Sequence, residues 1–183
     1  VIDHADQFIV IGENIHATRV VKRGGVRGHV YEDGTEAVKY KVGGDQRFVT
    51  VPEHFIGTQP YEQGNLKHFM IAMWQGLNGT SDESAQGKDY IRYEVDRQIN
   101  AGSHYLDLNV DESSYRLLEQ KQTMEWVVKF VESVSAVPPS VDSSNAEIIE
   151  VGLSAYGGSQ GRPMLNSIAL ERPEAIDMAL KYD

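Results

Sequence analysis

The feature that most constrains the fold is a regular alternation of apolar runs and amphipathic segments after residue 88. Short apolar runs of strand length, such as HYLDLNV (104–110) and RPMLNSIAL (162–170), alternate with longer segments in which apolar residues recur at helical spacing. The same order begins upstream with QFIVIGENI (7–15), an almost continuous apolar run. Uninterrupted apolar strands between helices are typical of a parallel sheet covered by helices. The sequence therefore predicts an α/β fold with four strand–helix units.

The helices of these units are predicted from apolar periodicity and from the residues at their ends. Asn145 stands where a helix N-cap is expected, and Pro173 stands near the first position of another helix. Gly102 follows the first helix of the series and is expected to end it. The predicted helices cover KDYIRYEVDRQINAG (88–102), TMEWVVKFVESVSA (123–136), NAEIIEVGLSAYGG (145–158) and PEAIDMALKYD (173–183).

Residues 16–85 interrupt this alternation and are predicted to form an insertion with structure of its own. Two alternating runs flank Asp33–Gly34, which predicts a β-hairpin, and RFVTV (47–51) predicts a third strand. NLKHFMIAMWQGL (65–77) has helical spacing. Because the insertion leaves the first strand at its carboxyl end, we expect it to cover that end of the sheet. Its basic residues Lys22, Arg23 and Arg27 are candidates for contact with an anionic ligand or partner, or simply a solvated loop.

Composition excludes several classes of site and partner. Asp and Glu outnumber Lys and Arg by 27 to 17, for a formal net charge of −10, and there is no cysteine. The acidic balance argues against nucleic acid or an anionic membrane as a partner, and the missing thiols exclude disulfides and a cysteine nucleophile. No apolar run approaches the roughly 18 residues of a membrane span, so a cytoplasmic location is expected. The six histidines lack the spacing of known metal motifs, so no metal site is predicted, and His16 is expected at the surface.

Polar side chains stand at the carboxyl end of all four predicted strands. In parallel α/β proteins ligands bind at this edge, because the strand-to-helix loops converge there. Carboxylates accept hydrogen bonds and carboxamides both donate and accept, a combination that suits a neutral planar heterocycle with an amidine-like edge. Phosphate is disfavoured because no glycine-rich phosphate loop or basic cluster lies here. The candidate site residues are Glu13, Asn14, Asp107, Asn109, Asp142, Ser143, Asn166 and Ser167.

Several of these residues also have a structural interpretation. Asn145 is better explained as a helix cap than as a ligand contact, and Ser143 and Ser144 could shape the turn after the third strand. Asp107 lies within an apolar strand, where an unpaired carboxylate would be costly. A structural hydrogen bond and a ligand contact are equally open for Asp107, whereas a ligand contact is favoured for Asp142.

Four segments together resemble the pterin-binding family. The closest likeness is to methyltetrahydrofolate methyltransferases, namely the corrinoid iron–sulfur protein enzymes and the folate domain of cobalamin-dependent methionine synthase. The likeness covers residues 8–15 and about 88–183 and leaves out the insertion. Its order and spacing make it more specific than any single motif. The segments are IGENIHATR (11–19), AGSHYLDLNVD (101–111), TMEWVVKFVESVSAVPPSVDSSN (123–145) and RPMLNSIALERPE (162–174).

The resemblance implies a (β/α)₈ TIM-barrel fold, of which about four βα units, a half barrel, are present. It also implies transfer of the N5 methyl group of methyltetrahydrofolate to the Co(I) of cobalamin carried by a partner corrinoid protein. Asp142 and Asn166 match the family residues that bind the pterin ring, Asn109 would lie at the ring, and Glu13 and Asp107 would line the pocket. The family's late-strand Asn near N5 would lie beyond Asp183, so no catalytic residue is assigned.

Two other functions stay open at this stage. One is a dihydropteroate synthase-like enzyme, although residues 109–112 (NVDE) stand where that enzyme has a glycine-rich stretch. The other is a non-catalytic pterin-binding or assembly module. A half barrel is also expected to leave two strand edges and an apolar inner face uncovered, which predicts a homodimer or pairing with a separate C-terminal half.

Overall fold

The computed structural model describes residues 8–166 and 173–182, so the candidate Ser167 lies outside the described residues. The strands are β1 (Ile11–His16), β2 (Val21–Lys22), β3 (Gly28–Val30), β4 (Glu36–Val42), β5 (Asp45–Thr50), β6 (Asn65–Leu66), β7 (Tyr105–Asn109), β8 (Pro139–Asp142) and β9 (Met164–Leu165). The helices are α1 (Gln59–Glu62), α2 (His68–Asn78), α3 (Ser81–Asn100), α4 (Leu117–Val134), α5 (Ala146–Ala155) and α6 (Glu174–Lys181), and a 3₁₀ turn covers Glu53–Phe55.

The centre of the fold is a four-stranded parallel sheet in the order β1-β7-β8-β9. The chain reaches β7 through α3, β8 through α4 and β9 through α5, so each parallel step is a strand–helix–strand unit. This arrangement confirms the predicted α/β class and is compatible with part of a TIM barrel. The described residues do not form a closed barrel.

The apolar residues of the sheet face the helices. Leu106, Leu108 and Val141 are completely buried in one core with side chains of α4 and α5. A Cβ atom at Gly152 of α5 would lie 2.6 Å from Val141 Cγ1, so the glycine allows the helix to approach the strand closely. Because side chains alternate along a strand, the other face of β7 and β8 carries polar residues near the carboxyl ends. The expectation of an apolar inner face is therefore wrong for these positions.

The predicted hairpin and third strand form a separate antiparallel sheet, β3-β4-β5. This sheet packs against the side of α3. The Tyr40 and Tyr90 rings lie 4.9 Å apart, and Arg47 Nη1 donates to both carboxylate oxygens of Asp89 at 2.7 Å. The β3-β4-β5 sheet thus lies against α3. The insertion contacts the loop at the carboxyl end of β7 through Lys67, just after β6, which pairs with Glu112.

Two of the basic residues proposed for ligand contact instead hold the insertion together. Arg23 forms a two-pronged ion pair with Glu36, with a shortest N–O distance of 2.6 Å, and its guanidinium lies 3.8 Å from the centre of the Tyr61 ring. Arg27 donates to the hydroxyl of Tyr90 on α3. These contacts connect the segment after β2 with β4 and α3. The two arginine side chains, which were candidates for contact with an anionic ligand, are therefore engaged within the protein.

Two helices begin earlier than predicted, and the first of them, α3, does so because its start carries a polar cap rather than apolar periodicity. Thr80 Oγ1 accepts from the backbone N–H of Glu83, and the Glu83 carboxylate accepts from the backbone N–H of Thr80 at 2.8 Å. This capping box starts α3 at Ser81 rather than at residue 88. The predicted end of the insertion at residue 85 therefore falls inside a helix of the main fold. The second such helix, α4, starts at Leu117 instead of residue 123.

Across residues 8–166 and 173–182, no helix combines the length and the apolar character needed to cross a membrane. The longest helix, α3, has 20 residues. Its sequence SDESAQGKDYIRYEVDRQIN carries charged side chains along its whole length.

Candidate functional site

A β-bulge in β1 decides which of its side chains reach the site. Gly12 pairs with Leu106 but Ile15 pairs with Leu108, so β1 has one residue more than β7 between these rungs. Without the extra residue Ile15 would stand beside Asn109, whereas in the structure His16 does. Ile15 is completely buried in the core instead. The bulge therefore turns a histidine, and not an isoleucine, towards the polar face of the sheet.

The bulge is held by a residue distant in the sequence. The backbone N–H of Asn14 donates to Oε1 of Gln98 on α3 at 3.0 Å. A Cβ atom at position 12 would lie 2.5 Å from the same Oε1 and 2.7 Å from Ser103 Oγ, so glycine is needed there for close approach. Gly12 and Gln98 together fix the backbone that precedes His16.

The outermost rung of the site contains His16, Asn109 and Asp142 from three neighbouring strands. Asn109 Nδ2 donates to Asp142 Oδ2 at 2.8 Å, and His16 Nε2 lies 3.8 Å from the same oxygen. Asn109 Oδ1 accepts from the backbone N–H of Asp111 at 3.0 Å, which fixes the orientation of the amide. The Asp142 carboxylate is thus set between an amide donor and an imidazole at the carboxyl ends of the strands.

Asp107 occupies the rung below and is almost fully buried, at 2% exposure. Its Oδ1 accepts from Ser140 Oγ and from Asn166 Nδ2, both at 2.9 Å. Burial raises the pKa of the Asp107 carboxyl, although the hydrogen bonds from Asn166 and Ser140 favour the ionised form; the neighbouring Asp142 charge raises this pKa further. The network joins β7, β8 and the residue after β9. It confirms the structural hydrogen bond expected for Asp107, whose carboxyl lies next to the candidate residues Asn166 and Asp142.

The turn after β8 is organised by Asp111. Ser143, which is fully buried, donates its hydroxyl to the Asp111 carboxylate, and the backbone N–H of Ser144 donates to Asp111 Oδ2 at 2.8 Å. Asn145 Oδ1 accepts from the backbone N–H of Glu147 at 2.9 Å, which confirms its predicted role as the N-cap of α5. Ser143 therefore shapes the turn that carries Asp142.

The two candidates in the bulge differ from the rest of the predicted set. Glu13 is exposed, and its carboxylate lies 3.5 Å from Arg19 Nη2. Arg19 Nε also donates to the backbone carbonyl of Glu13 at 2.9 Å. Asn14 is half-buried within the bulge. The structure therefore brings together Asp107, Asn109, Asp142 and Asn166, while Glu13 stands outside their hydrogen-bond network.

His16, Asp107 and Asp142 also form a group that could hold a metal ion. The imidazole nitrogen and one carboxylate oxygen from each Asp all lie within 4.8 Å of one another. Imidazole and carboxylate are common ligands of divalent transition metals. Sequence spacing did not indicate this group because its three members come from three different strands, and His16, expected at the surface, has a side chain that is only 19% exposed.

A separate cleft of about 630 Å³ lies between the insertion and the loop that follows β7. The His54 and Trp74 rings stack on one side of it, with centres 5.2 Å apart and planes 11° apart. Ser113 and Tyr115, from the loop after β7, also line it. The cleft is a second surface on which a small molecule could rest.

Comparison with known families agrees with this geometry. Residues 77–183 match the family described as pterin binding enzyme, and this range is more than half of the chain. The match includes β7, β8 and Asn166, which carry the hydrogen-bonded carboxylates and amides, whereas β1 and His16 lie outside it. The protein belongs to the pterin-binding enzyme family.

Proposed function

We propose that the protein binds methyltetrahydrofolate by its pterin ring at the carboxyl ends of β1, β7, β8 and β9, and that it serves transfer of the N5 methyl group to cobalamin on a corrinoid protein. The observation that carries the proposal is the group of Asp107, Asn109, Asp142 and Asn166 on one face of the sheet, in which Asn109 donates to Asp142 at 2.8 Å and Asn166 donates to Asp107 at 2.9 Å. Its members match the residues by which the sequence resembles the methyltransferases of the family.

The chemistry of the group suits the ring. The pyrimidine edge of a pterin presents two neighbouring N–H groups, and a carboxylate such as Asp142 accepts both. A hydrogen bond to a charged group contributes about 1.5–3 kcal/mol. Asn166 and Asn109 offer both donors and acceptors to the remaining nitrogen and oxygen atoms of the ring. Because Asn166 Nδ2 is directed at Asp107, the orientation of this amide is set before the ligand arrives.

In the proposed reaction the bond between N5 and the methyl carbon breaks while a bond between that carbon and Co(I) forms. N5 keeps the electron pair of the broken bond and takes a proton, which makes the tertiary amine a better leaving group. No covalent bond to the protein is needed. The role of the described residues in this scheme is to bind and orient the ring.

The first experiment measures pterin binding. Isothermal titration with methyltetrahydrofolate should give saturable binding to the wild type and at least tenfold weaker binding to Asp142→Asn, which keeps the side-chain shape but removes the charge. Asp96→Asn is the matched control, since Asp96 is exposed on α3, and it should bind as the wild type does. Equal affinities for the wild type and Asp142→Asn would refute the assignment.

A second experiment tests the reaction. The protein is mixed with methyltetrahydrofolate and cob(I)alamin on a corrinoid protein, and the conversion of cob(I)alamin to methylcobalamin is followed by visible absorbance. Methyl transfer that requires the protein supports the methyltransferase. Formation of dihydropteroate from a dihydropterin pyrophosphate and p-aminobenzoate would instead favour a dihydropteroate synthase. Pterin binding without either reaction would favour a non-catalytic module.

A further inference from the structure

We infer that His16 is a positioning residue of the pterin site, which acts by orienting the Asp142 carboxylate. The inference rests on the proposed function, because it concerns the same site. It goes beyond the family match, since β1 lies outside residues 77–183. Three observations carry it: the bulge in β1, the hydrogen bonds of the imidazole and the geometry around one oxygen of Asp142.

The bulge is the first observation. An extra residue in β1 exchanges the two faces of the strand, so that His16 stands on the rung of Asn109 and Asp142 while Ile15 enters the core. Bulges next to functional sites commonly re-aim a side chain in this way. Here it puts a polar ring where regular pairing would have put an aliphatic side chain.

The second observation concerns the position of the imidazole proton. The contacts made by Nδ1 indicate that the proton is on Nε2, the nitrogen that faces Asp142. The backbone N–H of Thr18 points at His16 Nδ1 at 3.3 Å, and Thr18 Oγ1 lies 2.7 Å from the same nitrogen. A backbone N–H can only donate, so Nδ1 accepts and the proton of the neutral ring is on Nε2. The nitrogen that faces Asp142 Oδ2 therefore carries the proton, at 3.8 Å, a distance longer than a hydrogen bond.

The third observation is that Asp142 Oδ2 has one hydrogen-bond donor and one nearby imidazole nitrogen beside it. Asn109 Nδ2 reaches Asp142 Oδ2 at 2.8 Å, and His16 Nε2 approaches it from the neighbouring strand on the far side of Asn109. The amide hydrogen bond, together with the dipole of the nearby imidazole N–H, restricts rotation of the carboxylate. A ring that arrives with two N–H groups then meets an acceptor whose rotation is already restricted, which lowers the entropic cost of binding.

The test uses two substitutions at position 16. His16→Asn removes the donor directed at Asp142, whereas His16→Gln returns an amide N–H at about the position of Nε2. We expect His16→Asn to weaken methyltetrahydrofolate binding about tenfold, and His16→Gln to restore most of the loss. In a double-mutant cycle, His16→Asn should add little to the effect of Asp142→Asn, because its role depends on that carboxylate.

Each outcome is decisive. If the wild type binds no methyltetrahydrofolate, the proposed function fails and this inference fails with it. If the wild type binds and Asp142→Asn weakens binding, but His16→Asn binds as the wild type does, the inference alone is overturned. It is also overturned if the two losses multiply in the double variant. Nitrogen-15 NMR of the wild-type imidazole gives a readout without ligand: we expect the proton on Nε2, and a neutral ring with its proton on Nδ1 would contradict the argument.

Discussion

Acidification should weaken the contact between the insertion and α3, because His68 is buried there in its neutral form. His68 is 6% exposed at the start of α2, and its Nδ1 lies 2.7 Å from the hydroxyl of Tyr90, which already accepts from Arg27. Burial, followed by the positive charges of Arg27, Arg19 and Arg97, lowers the pKa of His68 to about 3. A proton on this ring would therefore be placed beside a guanidinium in a region that excludes water.

The size and sign of the effect follow from proton linkage. An unfolded histidine has a pKa of about 6.5, so between about pH 6.5 and pH 3 the unfolded chain binds a proton that the folded chain does not. The free energy of unfolding consequently rises with pH in this window and falls on acidification, with a limiting slope of about 1.4 kcal/mol per pH unit. From pH 7 to pH 5, His68 alone should account for a loss of about 2 kcal/mol.

Urea denaturation at pH 7, 6 and 5 measures this effect. His68→Phe keeps the ring volume and leaves Tyr90 bonded to Arg27, so the variant should lose about 2 kcal/mol less than the wild type between pH 7 and pH 5. His54→Phe is the control: His54 is exposed, and this variant should follow the wild type. If wild type and His68→Phe lose the same stability over this range, the histidine is not buried as a neutral group and the reasoning is wrong.

The two close-contact glycines give further predictions. Gly12→Ala should displace Gln98 from the bulge, lower methyltetrahydrofolate affinity several-fold in titration calorimetry and cost about 1–3 kcal/mol of stability; unchanged affinity would mean that the bulge does not position the site. Gly152→Ala would bring a methyl group to 2.6 Å from Val141 Cγ1, and urea denaturation should reveal a loss of about 1–3 kcal/mol. Wild-type stability of this second variant would contradict the close packing of α5 on β8.

The core of the fold and most of the site could be predicted from local pattern. Apolar runs and helical periodicity are patterns among residues close in the sequence, so the order of strands and helices could be predicted from them. The alternation of strands and helices in turn predicted a parallel sheet. The convergence of Asp107, Asn109, Asp142 and Asn166 was predictable for a related reason. Each stands at the end of a strand, and parallel strands end at the same edge of the sheet.

The remaining parts of the site depend on contacts between distant residues. The bulge that turns His16 inward is held by Gln98, 84 residues away from its partner Asn14, and no local pattern marks it. Ser140 was missed because a buried serine in an apolar strand carries no signal of its partner Asp107. An alternation of polar residues at positions 140 and 142 was the available hint.

The surface against which the insertion packs could not be predicted from local sequence patterns. A hairpin is recognisable from its turn and its alternation, but the surface it covers depends on side-chain pairs such as Tyr40 with Tyr90 and Arg47 with Asp89. These pairs direct the antiparallel sheet to α3. Arg23 and Arg27 looked available for a ligand, but they are engaged by Glu36 and by the Tyr90 hydroxyl.

The central claim is that the carboxyl ends of β7, β8 and β9 bind a pterin ring, and an experimental structure of the complex with methyltetrahydrofolate tests it most directly. We predict that the ring lies on the polar face of the sheet, with its N–H edge within hydrogen-bond distance of the Asp142 carboxylate and with Asn166 and Asn109 at its other polar atoms. A pterin ring bound elsewhere, for example in the cleft lined by Trp74 and Tyr115, with these strand ends left without ligand, would contradict the claim.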